Sequence, residues 1–320
     1  MDNDTRLGLV LPTGHAQWAT GSGPRALIDF AVRAEELGFD SLWTGDTLLR
    51  PMIEPLALLG ALAVRTERIG LGTAALLPAL RRPVQTAQAL ASIDQLSGGR
   101  LTVAVGAGFP NRSEREYAAS DVPWQRRFAR LDDTVELWRR LWTSSGPTAF
   151  HGKVLHYDDL PEGLAPHRPG GPPVWLGGAT PAALERTGRL YDGWLPYPPD
   201  VADYAPGLAA VRRSAADAGR APAAVTPALY TTLLVAPDEA AGRAALDVYC
   251  RAAYGFPVEV VETIQTMVAG PVEHIAQVLR GYLSAGVTHL VCRIGALDLP
   301  GQEGQLEKLA ELIPMLRRRR

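Results

Sequence analysis

The amino-acid sequence predicts one parallel α/β barrel. Short apolar runs of strand type alternate with amphipathic stretches of helical period, eight strands can be read, and no Pro/Ser-rich linker interrupts the alternation. A helix between two strands returns the chain to the same end of the sheet, so the strands run parallel. Eight such units close into a (β/α)8, or TIM, barrel; a doubly wound open sheet is the alternative the same pattern allows. A length of 320 residues suits one barrel, and we expect a single domain over residues 1–320.

Each element has its own signal. Residues 6–11 (RLGLVL) read as the first strand. Residues 24–37 read as the first helix, because Ala26, Leu27, Phe30, Ala31, Ala34 and Leu37 share one face and Gly38 stands where a C-terminal cap belongs. Strands follow at 41–44, 68–71 and 101–105, and helices at 54–65, 83–95 and 124–142, the last with Leu131, Val135, Trp138 and Trp142 on one side. A hairpin insertion is expected near residues 147–158, around His151-Gly152-Lys153. The proline-rich residues 161–173 read as a loop, since proline cannot serve in a central ladder. Strands resume at 174–176, 193–195, 229–235 and 289–294, with helices at 181–190, 201–219, 272–285 and 302–316. Residues 237–270 read as an extra helical insertion, with a helix over 238–254.

Composition narrows the function classes. Apolar residues make up 47% and charged residues 21%, the balance of a globular protein, and the net charge of -2 implies no strong pull toward nucleic acid or anionic membrane. Cys250 and Cys292 form no CxxC, so neither a zinc knuckle nor a disulfide framework is indicated, and this usage fits a reducing cytoplasm. The start, Met1-Asp2-Asn3-Asp4-Thr5, lacks the features of a signal peptide, and no apolar run is long enough to span a bilayer; a cytoplasmic protein is expected. The six histidines never form HxH or HExxH, so no metal site is expected. Residues 317–320 read as a frayed basic end after the last helix.

In a barrel, functional groups come from the C-terminal strand ends and the loops after them. That rule selects His15, Asp46 and Thr47, Thr73-Ala74-Ala75, Gly106-Ala107-Gly108, Gly177-Gly178-Ala179-Thr180, Tyr197 and Arg293. Asn111 occupies the third glycine position of a GxGxxG, so a dinucleotide fingerprint is not supported; the turn either eases the strand exit or admits a flat ring or phosphate. The run Gly177 to Thr180 leads into Pro181, so free N–H groups there suit an anion, and Thr180 also suits an N-cap; both readings can hold. Asp46 is either a surface or capping carboxylate or an acceptor for a ring N–H or hydroxyl. His15 and Trp18 offer an imidazole and an aromatic face in the first loop. Trp18, Phe109, Tyr197, Tyr254 and Phe256 outline an apolar pocket or simple packing.

Several stretches together carry a family resemblance. Leu42-Trp43-Thr44-Gly45-Asp46, the run from Thr66 to Pro78 followed by Arg81-Arg82-Pro83-Val84, Asp94-Gln95-Leu96-Ser97-Gly98-Gly99-Arg100-Leu101, Val174-Trp175-Leu176-Gly177-Gly178-Ala179 and Asp192-Gly193-Trp194-Leu195-Pro196 resemble luciferase-like flavin and deazaflavin oxidoreductases. The Asp94 to Arg100 stretch is similar to their D-x-L-S-x-G-R signature. The resemblance implies a TIM barrel with a flavin or deazaflavin ring at its mouth, and a non-prolyl cis peptide at Ala74-Ala75. It implies that Ala74 and Ala75 back the ring, with Thr73 also a cofactor-binding candidate, that Asp46 touches its polar edge, that Gly106, Ala107 and Gly108 pass close to it, and that Gly177, Gly178, Ala179 and Thr180 receive its phosphate.

Two departures bear on chemistry. Many deazaflavin members have Asp-His where this chain has Asp46-Thr47, and members acting on sugar phosphates have Glu where Phe109 stands. Threonine cannot serve as a base near neutral pH. Asp46, Thr47 and His15 are therefore the catalytic candidates, with His15 as the candidate proton source, and Trp18, Phe109, Tyr197 and Arg293 are the substrate candidates. The run from Gly45 to Pro51 followed by Glu54-Pro55 resembles the coenzyme F420 branch more than the FMN branch. The expectation is an F420-dependent oxidoreductase moving a hydride to or from a small, largely apolar substrate. A monooxygenase using reduced FMN and a barrel that binds a cofactor without turnover are the alternatives. A homodimer, and a flavin or F420 reductase as functional partner, are expected from the resemblance alone.

Overall fold

The computed structural model describes residues 5–18, 23–198 and 200–317. The polar first four residues and the arginine tail beyond Arg317 lie outside the described residues. The strands are β1 (Arg6–Val10), β2 (Ser41–Thr44), β3 (Gly70–Leu76), β4 (Leu101–Val105), β5 (Thr148–His151), β6 (His156–Leu160), β7 (Val174–Gly177), β8 (Gly193–Leu195), β9 (Thr226–Val235), β10 (Met267–Gly270) and β11 (His289–Ile294). The helices are α1 (His15–Trp18), α2 (Ala26–Glu36), α3 (Pro55–Arg65), α4 (Pro83–Ser97), α5 (Glu114–Ala119), α6 (Arg127–Thr143), α7 (Pro181–Leu190), α8 (Val201–Asp217), α9 (Glu239–Tyr254), α10 (Val258–Val261), α11 (Val272–Ser284), α12 (Leu299–Ala310) and α13 (Leu312–Leu316).

The main sheet has the order β10-β9-β11-β1-β2-β3-β4-β7-β8, and β8 also pairs with β9. The ladder therefore returns on itself, as in a closed eight-stranded parallel barrel, and the open-sheet alternative falls. Strands of a parallel barrel are covered on both faces, and β2 is accordingly buried at every position, its polar Ser41 and Thr44 included. The hairpin β5–β6 is antiparallel, where the insertion was expected.

The chain divides into two compact units, residues 44–174 and residues 1–43 with 175–320. In the first, α6 locks onto α4: Trp138 Nε1 donates to the Pro83 carbonyl and Trp142 Nε1 to that of Ala87, both at 3.0 Å. Asp133 on α6 accepts from the backbone N–H groups of Val154 and Leu155 and so pins the hairpin insertion. Arg100, at the start of β4, donates to the carbonyls of Ala63, Thr66, Ile69 and Ser97 and to the Thr66 hydroxyl. Asp94 accepts from the Arg168 N–H, and Arg168 in turn donates to the Gly99 carbonyl. The D-x-L-S-x-G-R signature is thus scaffolding at the N-terminal end of β4, away from the strand ends that carry chemistry.

In the second unit a polar knot sits among buried aromatics. Ser41 Oγ lies 2.8 Å from His289 Nε2 and accepts from Trp43 Nε1 at 2.8 Å. The rings of Trp43, Trp175 and His289 pack at 5.2–5.5 Å. Gly8 permits this: a Cβ there would lie 2.2 Å from Ser41 Oγ and 2.6 Å from Trp43 Nε1. Burial, aided by repulsion from Arg6, pushes the His289 imidazole down to about 3, so it stays neutral.

The structure corrects several expectations. β3 runs over Gly70–Leu76, beyond the expected 68–71, because its Gly-Thr-Ala-Ala stretch has weak strand propensity and is held by pairing with β4. The 237–270 insertion is not wholly helical: Met267–Gly270 is a strand parallel to β9, and its Ala-Gly end carries little strand propensity. The expected helix over 302–316 is two helices, because Pro314 lacks the N–H that would bond the Ala310 carbonyl. α6 starts at Arg127 rather than Trp124, since Arg126 is left-handed (φ 60°). The short helices α1, α5 and α10 have too few residues for a legible period.

Gly8→Ala should destabilise the fold by about 1–3 kcal/mol, measured by urea unfolding, because Ser41 and Trp43 cannot both give way. A second outcome concerns pH. The unfolded histidine takes a proton below its ordinary 6.5, whereas folded His289 does so only near 3, so its contribution is lost as pH falls through that window. Between pH 7 and pH 5 this amounts to about 2 kcal/mol, and His289→Gln should flatten that part of the stability–pH curve.

Candidate active site

Residues 44–174 carry one group of strand ends. Asp46 follows β2, and its side chain is 3% exposed. Arg81 clamps it with Nη1 to Oδ2 at 2.6 Å and Nη2 to Oδ1 at 3.0 Å, and the Leu77 N–H donates to Oδ2 at 2.9 Å. Arg81 also donates to Glu54, whose carboxylate caps α3 through the Ala57 N–H. Burial works against the Arg81 charge, but the bonds to Asp46 outweigh it and hold the guanidinium above its ordinary range. Asp46 thus anchors the turn after β3, with each carboxylate oxygen accepting at least one hydrogen bond.

Thr47 is also engaged. Its hydroxyl donates to Glu116 Oε1 at 2.5 Å, the Leu48 N–H donates to the same oxygen at 2.7 Å, and Leu49 N–H donates back to the hydroxyl at 3.1 Å. Glu116, on α5, is 2% exposed. Its carboxylate is the post that holds the loop after β2. No sequence pattern marked Glu116, and Arg81 stood within the family-like stretch without a role; each matters through a partner 69 or 35 residues away.

The end of β3 matches its expected form: the Ala74-Ala75 peptide is cis and the β3–β4 register shifts between Thr73 and Leu76. Thr73 is wholly buried and its hydroxyl donates to the Ala104 carbonyl, so its side chain belongs to the wall. A Cβ at Gly106 would lie 3.7 Å from the Ala75 Cβ, an ordinary contact, so the residues there leave backbone and methyl groups facing one another. Gly108 is left-handed (φ 77°), and a Cβ there would strike Ser113 at 2.5 Å. The Tyr117 hydroxyl donates to the Ala107 carbonyl, and Ser113 Oγ accepts from the Phe109 N–H. Phe109 itself is 58% exposed.

The other unit carries the remaining candidates. Thr180 is the N-cap of α7: its Oγ1 accepts from the Ala183 N–H at 3.3 Å. Gly178 turns the chain with φ 101° and its carbonyl accepts from Trp194 Nε1 at 2.9 Å. Ala179 and Tyr197 meet at one cavity of about 430 Å³, with Leu184, Trp194, Asp203 and Ile264 among its walls. Burial pushes the Tyr197 phenol up. His15 and Trp18 pair edge to face at 4.8 Å on α1, and Trp18 Nε1 donates to the Thr13 carbonyl. Arg293, near the end of β11, donates to the Tyr254 hydroxyl at 3.1 Å. That polar role of Tyr254 was invisible in the sequence, where it read as one more aromatic. Among the described residues no cluster of three or more His, Cys, Asp or Glu side chains could hold a metal ion. No described helix is long and apolar enough to cross a membrane.

This arrangement defines a class, a parallel α/β barrel with a cis bulge at β3 and glycine turns at its strand ends. Residues 5–257 match the family described as luciferase-like monooxygenase, and the chain belongs to that family. It is 37% identical over 197 residues to F420-dependent glucose-6-phosphate dehydrogenase of Amycolatopsis mediterranei, an alignment covering 58% of this chain and 57% of that protein. The chain thus spans a little over half the length of that relative. It is 30% identical over 342 positions to the enzyme of the same name from Kineococcus radiotolerans, covering 97% of this chain and 98% of that one. Among solved structures, an F420-dependent secondary alcohol dehydrogenase bound to an F420-acetone adduct superposes with a TM-score of 0.77 at 21% identity, over 98% of this chain and all of that chain (100%), a likeness of fold.

Glu116→Ala leaves the Thr47 hydroxyl and the Leu48 N–H without their buried acceptor. A loss of about 2–3 kcal/mol in urea unfolding is expected, with faster proteolysis within residues 45–53. Unchanged stability would show that the carboxylate is not the post for this loop.

Proposed function

We propose that this protein is an F420-dependent oxidoreductase that transfers a hydride between the deazaflavin and a small, largely apolar organic substrate. The observation that carries the reading is the near full-length likeness to a relative named as F420-dependent. The residues present fit such a cofactor. Ala74, Ala75 and Gly106 bring small groups together at the ends of β3 and β4, where a Cβ at Gly106 would meet only the Ala75 methyl and the Leu77 side chain, each at 3.7 Å. Gly177 to Thr180 end in the first turn of α7, where the helix dipole and N–H groups favour a phosphate. Asp46 holds Arg81 and the Leu77 N–H in place beside these residues. When bound, the deazaflavin supplies or accepts the hydride.

The chain's own residues set the substrate class. Thr47 stands where an imidazole acts in many deazaflavin members, and its hydroxyl is committed to Glu116. Phe109 stands, largely exposed, where a carboxylate serves members acting on sugar phosphates. Both favour an apolar substrate over a sugar phosphate. His15 remains a candidate proton source, and a homodimer and a cofactor reductase remain proposed partners.

Fluorescence titration of the purified protein with F420 and with FMN tests the cofactor. Micromolar or tighter F420 binding with weak FMN binding is expected; the reverse order would replace this reading with a reduced-flavin monooxygenase. Gly106→Val should weaken F420 binding at least about tenfold, since a branched side chain there meets the Ala75 and Leu77 side chains and fills the approach.

A further inference from the structure

Arg293 on β11 lies in register with Thr232 on β9, so the two side chains stand on the same face of adjacent strands near their C-terminal ends. Thr232 is 0% exposed and its hydroxyl has no hydrogen-bond partner. Arg293 is partly buried and makes no ion pair among the described residues; its hydrogen bond goes from Nη1 to the Tyr254 phenolic oxygen. Gln265 Nε2 donates to that same oxygen at 3.2 Å. Two donors therefore occupy the lone pairs of the phenol, and its own O–H has no acceptor among the described residues. A cation without a counter-ion, beside an unpaired buried hydroxyl and a phenol with a free proton, is a set that a ligand oxygen completes.

We propose that Tyr254, backed by Arg293 and Gln265, is the proton donor to the oxygen of a carbonyl substrate, an apolar ketone or aldehyde. The proposal rests on the F420-dependent reading, because the hydride must come from the reduced deazaflavin, which is oxidised by two electrons as the carbonyl is reduced. The carbonyl carbon accepts the hydride, the C=O π bond breaks toward oxygen, and that oxygen takes the Tyr254 proton. The electron pair of the O–H bond stays on the phenolic oxygen, facing the guanidinium and the Gln265 amide. Solvent then returns a proton to Tyr254, and the product is the alcohol.

Electrostatics support the geometry. Burial pushes the Tyr254 phenol up, but attraction from Arg293 and the hydrogen bonds from Gln265 and Arg293 outweigh it and hold the phenol below its ordinary range. Cys250, four residues back on α9, acts in the opposite sense. Tyr249 of α9 packs edge to face at 6.0 Å, and Tyr230 of β9 is the further titratable group near Arg293. Burial works against the Arg293 charge, but Tyr230, Tyr249 and Tyr254 together outweigh it and hold the guanidinium well above its ordinary range.

The test has two arms. In protein labelled with 13C at tyrosine Cζ, one resonance should titrate below all others, vanish in Tyr254→Phe, and move up by at least about one pH unit in Arg293→Met. This arm needs no cofactor. In the second arm, cyclohexanone and benzaldehyde are offered with reduced F420. Tyr254→Phe should lower kcat at least about 100-fold with F420 affinity, read by fluorescence, unchanged. Gln265→Leu, a milder change, should lower kcat less and leave KM within about threefold. A Tyr254 resonance that titrates with the others, or ignores Arg293→Met, overturns the proposal. Wild-type protein that binds reduced F420 yet reduces neither carbonyl also overturns it, whereas failure to bind F420 sinks the cofactor reading on which it stands.

Discussion

A carboxylate buried at a strand end is tolerated only when every oxygen is partnered, and the Asp46 clamp meets that condition within residues 44–174. Arg81 reaches Asp46 with two nitrogens and Glu54 with the same group, so one guanidinium ties the loop after β2, the start of α3 and the turn after β3. A lysine could not do this, because its ammonium is a point charge without the planar fork. Glu116 repeats the principle with the sign reversed, as one buried acceptor gathers the Thr47 hydroxyl and the Leu48 N–H. The loops around the proposed ring surface are therefore held by charge-assisted bonds rather than by apolar packing.

Arginine serves two purposes in this chain. Arg100 is saturated by backbone carbonyls at the foot of β4 and acts as a rivet. Arg293 has a tyrosine where a carboxylate would ordinarily neutralise it, so its field is available to a neighbouring oxygen. The contrast follows strand polarity: β4 begins beside Arg100, whereas β11 ends beside Arg293. In parallel α/β barrels the first end is structural and the second carries chemistry.

Much of the architecture was legible in local pattern. β2, β4, β8, β11 and α7 stand where apolar runs and the Thr-Pro start placed them, because buried parallel strands and capped helices leave strong short-range signals. β3 was read short and β10 missed because their alanine- and glycine-containing sequences carry little strand propensity. The glycine turns were found from their position after strands. The partners of nearby polar groups were not: Thr73 was a cofactor-binding candidate and Asp46 either a capping carboxylate or an acceptor, and only the structure shows Thr73 bonded to the Ala104 carbonyl and Asp46 to Arg81 and Leu77.

The sequence by itself determined the alternation of strands and helices, the glycine and alanine strand ends and the family, since each depends on neighbours along the chain. The tertiary structure alone decided which polar groups are committed and which are open. Arg81 finds Asp46 across 35 residues, Thr47 finds Glu116 across 69, and Arg293 finds Tyr254 across 39. Hydrogen bonds between residues so far apart are made by strand register and helix docking, for which no local spacing provides a signal.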